Sequence, residues 1–209
     1  MKKIKKRSVQ DIPIFLDRNL YKELKDIVES VLWDYKTNRE TYQLRDQAFV
    51  CLLILSGLRI SEALQLRKKQ FRIYDDKIVL ANVKTLKRGL IRQRITLPKK
   101  GNFAWFTNTV EKWLTVIPTE DSFMFPSGTV AGLRWNIPLS RKRPFWIIKT
   151  TVNKFPHWFR GVCETVYGRI VFKNNAWKLK DFMGLKRLDS TTPYVMGPWE
   201  EDEERIYDL

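Results

Sequence analysis

The chain has 209 residues and a mass of 25.0 kDa, with 44% hydrophobic and 30% charged residues. That composition is enough for one sizeable core and excludes a disordered or fibrous chain. Lys and Arg number 39 against 23 Asp and Glu, and the resulting +16 points to a polyanionic partner, nucleic acid before an anionic membrane surface.

No apolar run reaches the roughly 18–20 residues of a membrane span. The longest, Ala48 to Leu55, has the length of a buried helix. The basic N-terminus, Met1 to Arg7, has no apolar stretch behind it and does not read as a secretory signal. Cys51 and Cys163 both lie in apolar contexts, which argues for a reducing compartment, here the cytoplasm, rather than a disulfide framework. A single histidine, His157, and two separated cysteines exclude a zinc site built from those ligands. Residues Val195 to Leu209 hold six acids and one base, so this tail carries −5 and the rest +21.

Residues 1–10 read as a basic arm. A first helix is expected after Asp17, through Leu20, Leu24, Ile27, Val28, Val31 and Leu32 at helical spacing. A second runs from about Tyr42 to Ser56 and is closed by Gly57. A third, short helix is expected from Ser61 as cap, carrying Ala63, Leu64 and Leu66. The period then changes to two. Residues 77–83 and 90–97 read as paired strands around a basic turn, Lys84 to Gly89, with Pro98 ending the second. In that second strand Ile91, Gln93 and Ile95 share one face and Arg92, Arg94 and Thr96 the other. Helical signal returns at Phe103 to Val116. A loop is expected from Pro118 to Pro138, then a helix capped by Ser140 through Val152, and helices over 157–170 and 176–183. The fold class is therefore α+β, mainly helical, with one small antiparallel sheet.

Four places hold side chains that could carry chemistry. Arg59 follows the helix-breaking Gly57 in Ser56-Gly57-Leu58-Arg59-Ile60-Ser61-Glu62, a fixed cation whose planar fork suits a phosphate. The turn between the strands carries Lys84 and Lys87. His157 and Arg160 are three apart and share a helix face. Tyr194 follows Gly184-Leu185-Lys186-Arg187-Leu188-Asp189-Ser190-Thr191-Thr192-Pro193. Taken singly, each has a plainer reading: an Arg59–Glu62 pair, a solvated turn, a packed histidine, a packing tyrosine.

Together, and in that order, Arg, Lys, His-x-x-Arg and Tyr resemble the catalytic domain of the tyrosine recombinase (phage integrase) family. Leu44-Arg45-Asp46-Gln47-Ala48, Leu64-Gln65-Leu66-Arg67, Phe125-Pro126-Ser127 and Pro138-Leu139-Ser140-Arg141 add to the likeness, which spans about Asp11 to Val195. The resemblance implies that family's fold over residues 11–194. It implies a site-specific recombinase or integrase that acts on double-stranded DNA without metal, nucleotide or other cofactor. It also implies a tetramer on DNA; in solution a monomer is expected, with no membrane partner. Arg59 and Arg160 would clamp the phosphate, and Tyr194 would attack it to give a 3′-phosphotyrosine. His157 would assist as base, and Lys84, or Lys87, would protonate the leaving 5′-oxygen. Tyr207, in the acidic tail, is a weaker nucleophile.

Two departures stand out. The family has histidine or tryptophan after the glycine corresponding to Gly184, where this chain has Leu185; Lys186 next to it is the substitute donor. The family also commonly carries a further helical DNA-clamping domain ahead of the catalytic one, whereas only about ten residues precede the likeness here. A catalytically weak or silent DNA-binding protein of the same fold, or an unrelated basic nucleic-acid-binding module, are the alternatives. The acidic tail, residues 195–209, begins close enough to Tyr194 for Glu200 to Glu204 to reach the rim of the site and act as a phosphate mimic; its plainer reading is a solvated, frayed terminus.

Overall fold

The structure is a computed structural model of the chain and describes residues 18–31, 39–85, 90–152, 157–185, 187–191 and 195. Its core is built around the second helix. α1 is Arg18–Glu29 and α2 is Arg39–Ser56. Every residue of α2 from Ala48 to Ser56 is buried. A helix that is apolar all round must be enclosed by other elements, and this one is. α1 lays Leu20, Leu24 and Val28 on the core at four-residue spacing. α4, Ala104–Val116, adds Phe106, Val110 and Trp113, and the Trp113 indole donates to the Met124 carbonyl at 2.6 Å.

The sheet β1–β2–β3 comprises Phe71–Ile73, Lys77–Lys84 and Ile91–Pro98, all antiparallel. Leu80 faces Ile95 and Ile78 faces Leu97, and all four are fully buried. Past this rung both strands change face. Asn82 adopts a left-handed φ of 54°, and beyond it Val83 and its partner Arg92 point inward while Gln93 and Ile91 are exposed. The expected facing of β3 is therefore reversed in its first half. Strict alternation holds only while the pleat is regular, and the left-handed Asn82 interrupts it.

Three other expectations are corrected. The segment expected as a loop from Pro118 to Pro138 contains a hairpin, β4 (Pro126–Thr129) with β5 (Gly132–Pro138), so there are two small sheets among the described residues. The short helix α3 is Ile60–Ala63, one turn only, with Arg59 rather than Ser61 at its N-cap. The helix expected from Ser140 is α5, Lys142–Val152, beginning two residues later. α6 is His157–Val166, continued by a wide π turn over Tyr167–Val171, and α7 is Ala176–Met183. The N-cap of α7 is Asn175, whose side chain accepts from the Lys178 amide at 3.0 Å. The expected Asp17 cap, the basic arm and the acidic tail beyond Val195 lie outside the described residues.

A buried polar cluster joins distant parts of the chain. Asp46 on α2 takes the Arg45 guanidinium on Oδ1 at 2.7 Å and the Arg143 guanidinium of α5 on Oδ2 at 2.8 Å. Arg45 Nη1 also donates to the Pro126 carbonyl of β4 at 3.0 Å. Asp46 is fully enclosed, and both of its oxygens are charge-matched. Arg45, Asp46 and Pro126 belong to the supporting sequence of the resemblance, and here they tie α2, α5 and the second hairpin together.

Candidate active site

α2 breaks at Gly57, whose φ of 59° suits a residue without a side chain. A Cβ there would meet Met183 Cε at 2.7 Å and Cys163 Sγ at 3.1 Å. The missing side chain thus lets the turn press against α6 and the end of α7. Two residues on, Arg59 sits in extended conformation at the start of α3. Both oxygens of Glu62 hold it: Oε2 accepts from the Arg59 amide at 2.9 Å, and Oε1 from Nη1 at 2.8 Å. Glu62 is buried, while the Arg59 side chain keeps 23% of its surface exposed. The Arg59–Glu62 pair is therefore real, and it aims a guanidinium still open to solvent.

Arg160 reaches the same turn from α6. Its Nη1 donates to the Gly57 carbonyl at 2.7 Å, its Nη2 to the Met183 carbonyl at 3.2 Å, and its Nε pairs with Glu164 at 2.9 Å. Among the described residues three of its five N–H groups are held by protein and two are not. The first arginine and the His-x-x-Arg arginine thus meet at one helix break.

Lys84 is the last residue of β2, exposed, and paired across the hairpin with Ile91. Among the described residues it has no ion-pair partner. His157 opens α6, one turn before Arg160. Tyr194, Lys186, Lys87 and Tyr207 lie outside the described residues. Leu185 is partly buried and packs with Cys163, Leu179, Met183 and Val195. At this position the chain supplies apolar packing and no donor.

The sequence reading missed one side chain of this cluster. Arg92 of β3 is buried, donates from Nη2 to the Ser56 carbonyl at 2.9 Å, and lies over the Phe182 ring at 4.9 Å. Burial pushes its guanidinium down to about 10, with nearby Arg160 adding repulsion, so it is charged at neutral pH. The signal that could have found it is Asn82 on the neighbouring strand, a residue type tolerant of the left-handed region.

Other titratable groups here serve packing. Burial pushes the Cys163 thiol up to about 12. Burial also raises the Tyr167 phenol, which donates to the Thr96 carbonyl at 3.2 Å and stacks on Phe182 at 4.1 Å. Such a hydroxyl is committed and poorly suited as a nucleophile. No helix among the described residues is long and apolar enough to cross a membrane.

Comparison with known proteins places this architecture. The XerH site-specific recombinase, in a pre-cleavage complex with difH substrate, superposes with a TM-score of 0.66 at 14% identity, covering 92% of this chain and 53% of that one. The XerA recombinase gives 0.61 at 16%, covering 94% and 65%. The Tn1549 transposon integrase, in complex with transposon right end DNA, gives 0.59 at 13%, covering 88% and 63%. The chain thus spans 53% to 65% of the length of these proteins, and at such identities the likeness shows the fold. No curated protein matches the chain. The phage integrase family model matches residues 15–164, a span that includes Arg59, Lys84, His157 and Arg160 and ends before Tyr194. With that match over most of its length and the fold of tyrosine recombinases, the chain belongs to the phage integrase family.

Proposed function

We propose that the chain is a DNA strand-cleaving and rejoining enzyme, the catalytic unit of a site-specific recombinase or integrase. The observation that carries this reading is the convergence of Arg59 and Arg160. A buried contact to Gly57 sets the second arginine beside the turn that bears the first. The division into a basic arm (1–10), catalytic unit (11–194) and acidic tail (195–209), the assembly of a tetramer on DNA and the tail's phosphate mimicry belong to the same reading.

The chemistry follows from the residue types. The Tyr194 phenol oxygen attacks phosphorus, and its proton passes to His157 or solvent. The bond from phosphorus to the 5′-oxygen breaks, and Lys84 protonates that oxygen. Arg59 and Arg160 offset the charge that builds on the non-bridging oxygens; loss of one such donor typically costs roughly 10²–10³ in rate. The phosphotyrosine keeps the energy of the broken bond, so a second 5′-hydroxyl can reverse the steps and reseal the strand. No nucleotide or metal is needed for this sequence. Affinity comes mainly from phosphate contacts by the basic body and falls steeply with salt.

Leu185 favours a second reading. An apolar residue stands where the family places a hydrogen-bond donor, as in a weak or silent DNA-binding member of the fold. A nicked duplex that traps the covalent adduct separates the two. The enzyme reading expects an adduct with the native chain and none with Tyr194→Phe, whose DNA affinity should stay within about threefold. No adduct from the native chain, with binding intact, selects the silent reading. An adduct that persists in Tyr194→Phe and disappears in Tyr207→Phe moves the nucleophile.

A further inference from the structure

Strand β3 turns Arg92 into the interior, where only 3% of the residue is exposed. Among the described residues its Nε and Nη1 have neither a hydrogen-bond partner nor solvent contact. A buried cation with unmade hydrogen bonds is costly, and an apolar residue of similar volume would often serve stability better. A second charge adds to the cost. Arg92 and Arg160 donate to the carbonyls of consecutive residues, Ser56 and Gly57; Arg160 repels Arg92, and the Glu62 carboxylate offsets this only in part. The two nearby carboxylates form their ion pairs with the other arginines, Glu62 with Arg59 and Glu164 with Arg160. Among the described residues, three guanidinium groups therefore meet two carboxylates. One positive charge and two buried N–H groups are left over, the complement of an anionic oxygen.

We infer that Arg92 is a third phosphate-binding arginine, whose unpaired Nε and Nη1 donors take a phosphodiester oxygen at the site formed by Arg59 and Arg160. The inference rests on the reading of the chain as a DNA strand-cleaving enzyme. The cover over Arg92 is the end of α7. Gly184 lies on the Arg92 stem, so close that a Cβ would sit 2.9 Å from Cγ. The preceding carbonyl, that of Met183, accepts from Arg160 at 3.2 Å, the longest of that arginine's three contacts. In the free protein this carbonyl fills a donor that a phosphate oxygen takes in the complex. Its displacement frees Arg160 Nη2 and lifts the glycine from Arg92 in one movement.

The test compares the native chain with Arg92→Met, which keeps volume and removes charge, and with Arg92→Lys, which keeps charge but not the two donors. One measurement is thermal melting with and without inorganic phosphate. Without phosphate, Arg92→Met should melt at or above the native temperature; with it, the native chain should gain more than the variant. The other is cleavage of a nicked duplex carrying either the normal phosphate or a methylphosphonate at the scissile position. The methyl group replaces one charged oxygen, so one cation fewer is required. Arg92→Met should cleave the phosphate roughly 10²-fold slower than the native chain, yet stay within about threefold of it on the methylphosphonate. Arg92→Lys should be intermediate on phosphate and near native on methylphosphonate, which decides the matter if the methionine variant does not fold. Equal losses on both substrates, or equal stabilisation by phosphate in all three proteins, overturn the inference. If the native chain cleaves neither substrate, the proposed function fails, and the phosphate melts still decide whether Arg92 holds an anion.

Discussion

The Arg160 guanidinium donates to the Gly57 carbonyl at 2.7 Å, across 103 positions of sequence. That contact anchors Arg160 of α6 at the helix break that carries Arg59 two residues on. The carbonyl is available because Gly57 takes a left-handed conformation and offers no side chain to Met183 and Cys163. Lysine at position 160 would keep the charge but could not hold Gly57, Met183 and Glu164 at once, since its donors radiate from one atom. Arg160→Lys should cost about 1–3 kcal/mol of stability, the usual penalty for stranded buried groups, and slow adduct formation by roughly 10²-fold. Urea unfolding and the nicked-duplex assay measure the two effects. A variant with native cleavage would remove Arg160 from the site.

Glu62 holds Arg59 by two bonds, and only one survives a change to glutamine. The amide oxygen can still accept from the Arg59 backbone, but the amide nitrogen cannot accept from the guanidinium. Glu62→Gln should therefore release the Arg59 side chain while leaving the start of α3 capped. The expected result is slower cleavage, about tenfold, with DNA affinity within threefold. Separate measurements of binding by titration and of single-turnover cleavage check this. A fall in affinity with unchanged single-turnover rate would instead make Glu62 a part of the binding surface.

How far the sequence reveals this site depends on which regularities it obeys. α2 is legible because apolar character from Ala48 to Leu55 is continuous, and Gly57 marks its end. The spacing of His157 and Arg160 is legible because helical geometry fixes which residues share a face. The partners of Asp46 are not legible. Arg143 comes from α5, and a contact between elements so far apart leaves no local pattern. The second hairpin escaped because Gly128, Gly132, Pro126 and Pro138 suggest a loop, whereas Pro126, Gly132 and Pro138 lie at the ends of short strands and Gly128 sits inside β4, against the Tyr42 ring. Arg92 escaped because period-two reading assumes an unbroken pleat, and the left-handed Asn82 on the partner strand changes the face of both.

Gly184 is a second left-handed glycine packed against this cluster. It closes α7 with φ at 61° and lies against Arg92 Cγ and Thr85 Cγ2. Alanine there meets both an unfavourable conformation and a close contact. Gly184→Ala should lose about 1–2 kcal/mol, measured by urea denaturation. Because the Arg92 stem cannot move without leaving Ser56 or Phe182, the double variant Gly184→Ala with Arg92→Met should recover part of that loss. Strictly additive losses would show that the contact between Gly184 and Arg92 carries no energy.

The leaving-group proton separates the two lysines of the hairpin. Lys84 ends β2, exposed, just past the change of face at Asn82, with Val83 turned inward beside it. An exposed lysine on a two-stranded projection can reach a DNA strand docked against the site, whereas a lysine fixed in the core could not. An alkoxide leaving group needs a proton as it departs, and a positioned general acid is worth about 10²–10⁴ in rate. A thiolate does not need one, because an ordinary thiol already ionises near pH 8.5. Lys84→Ala should therefore slow cleavage of a normal strand by at least about 10²-fold. A strand with sulfur in place of the 5′-bridging oxygen should be cleaved within about threefold of the native rate. DNA affinity should hardly change, since one phosphate contact among many is removed. Lys87→Ala serves as the paired measurement on the same two strands. Rescue by sulfur in Lys87→Ala, with Lys84→Ala equally slow on both strands, assigns the proton to Lys87 and leaves Lys84 as a binding residue. Near-native cleavage of the normal strand by both variants removes the hairpin from the chemistry.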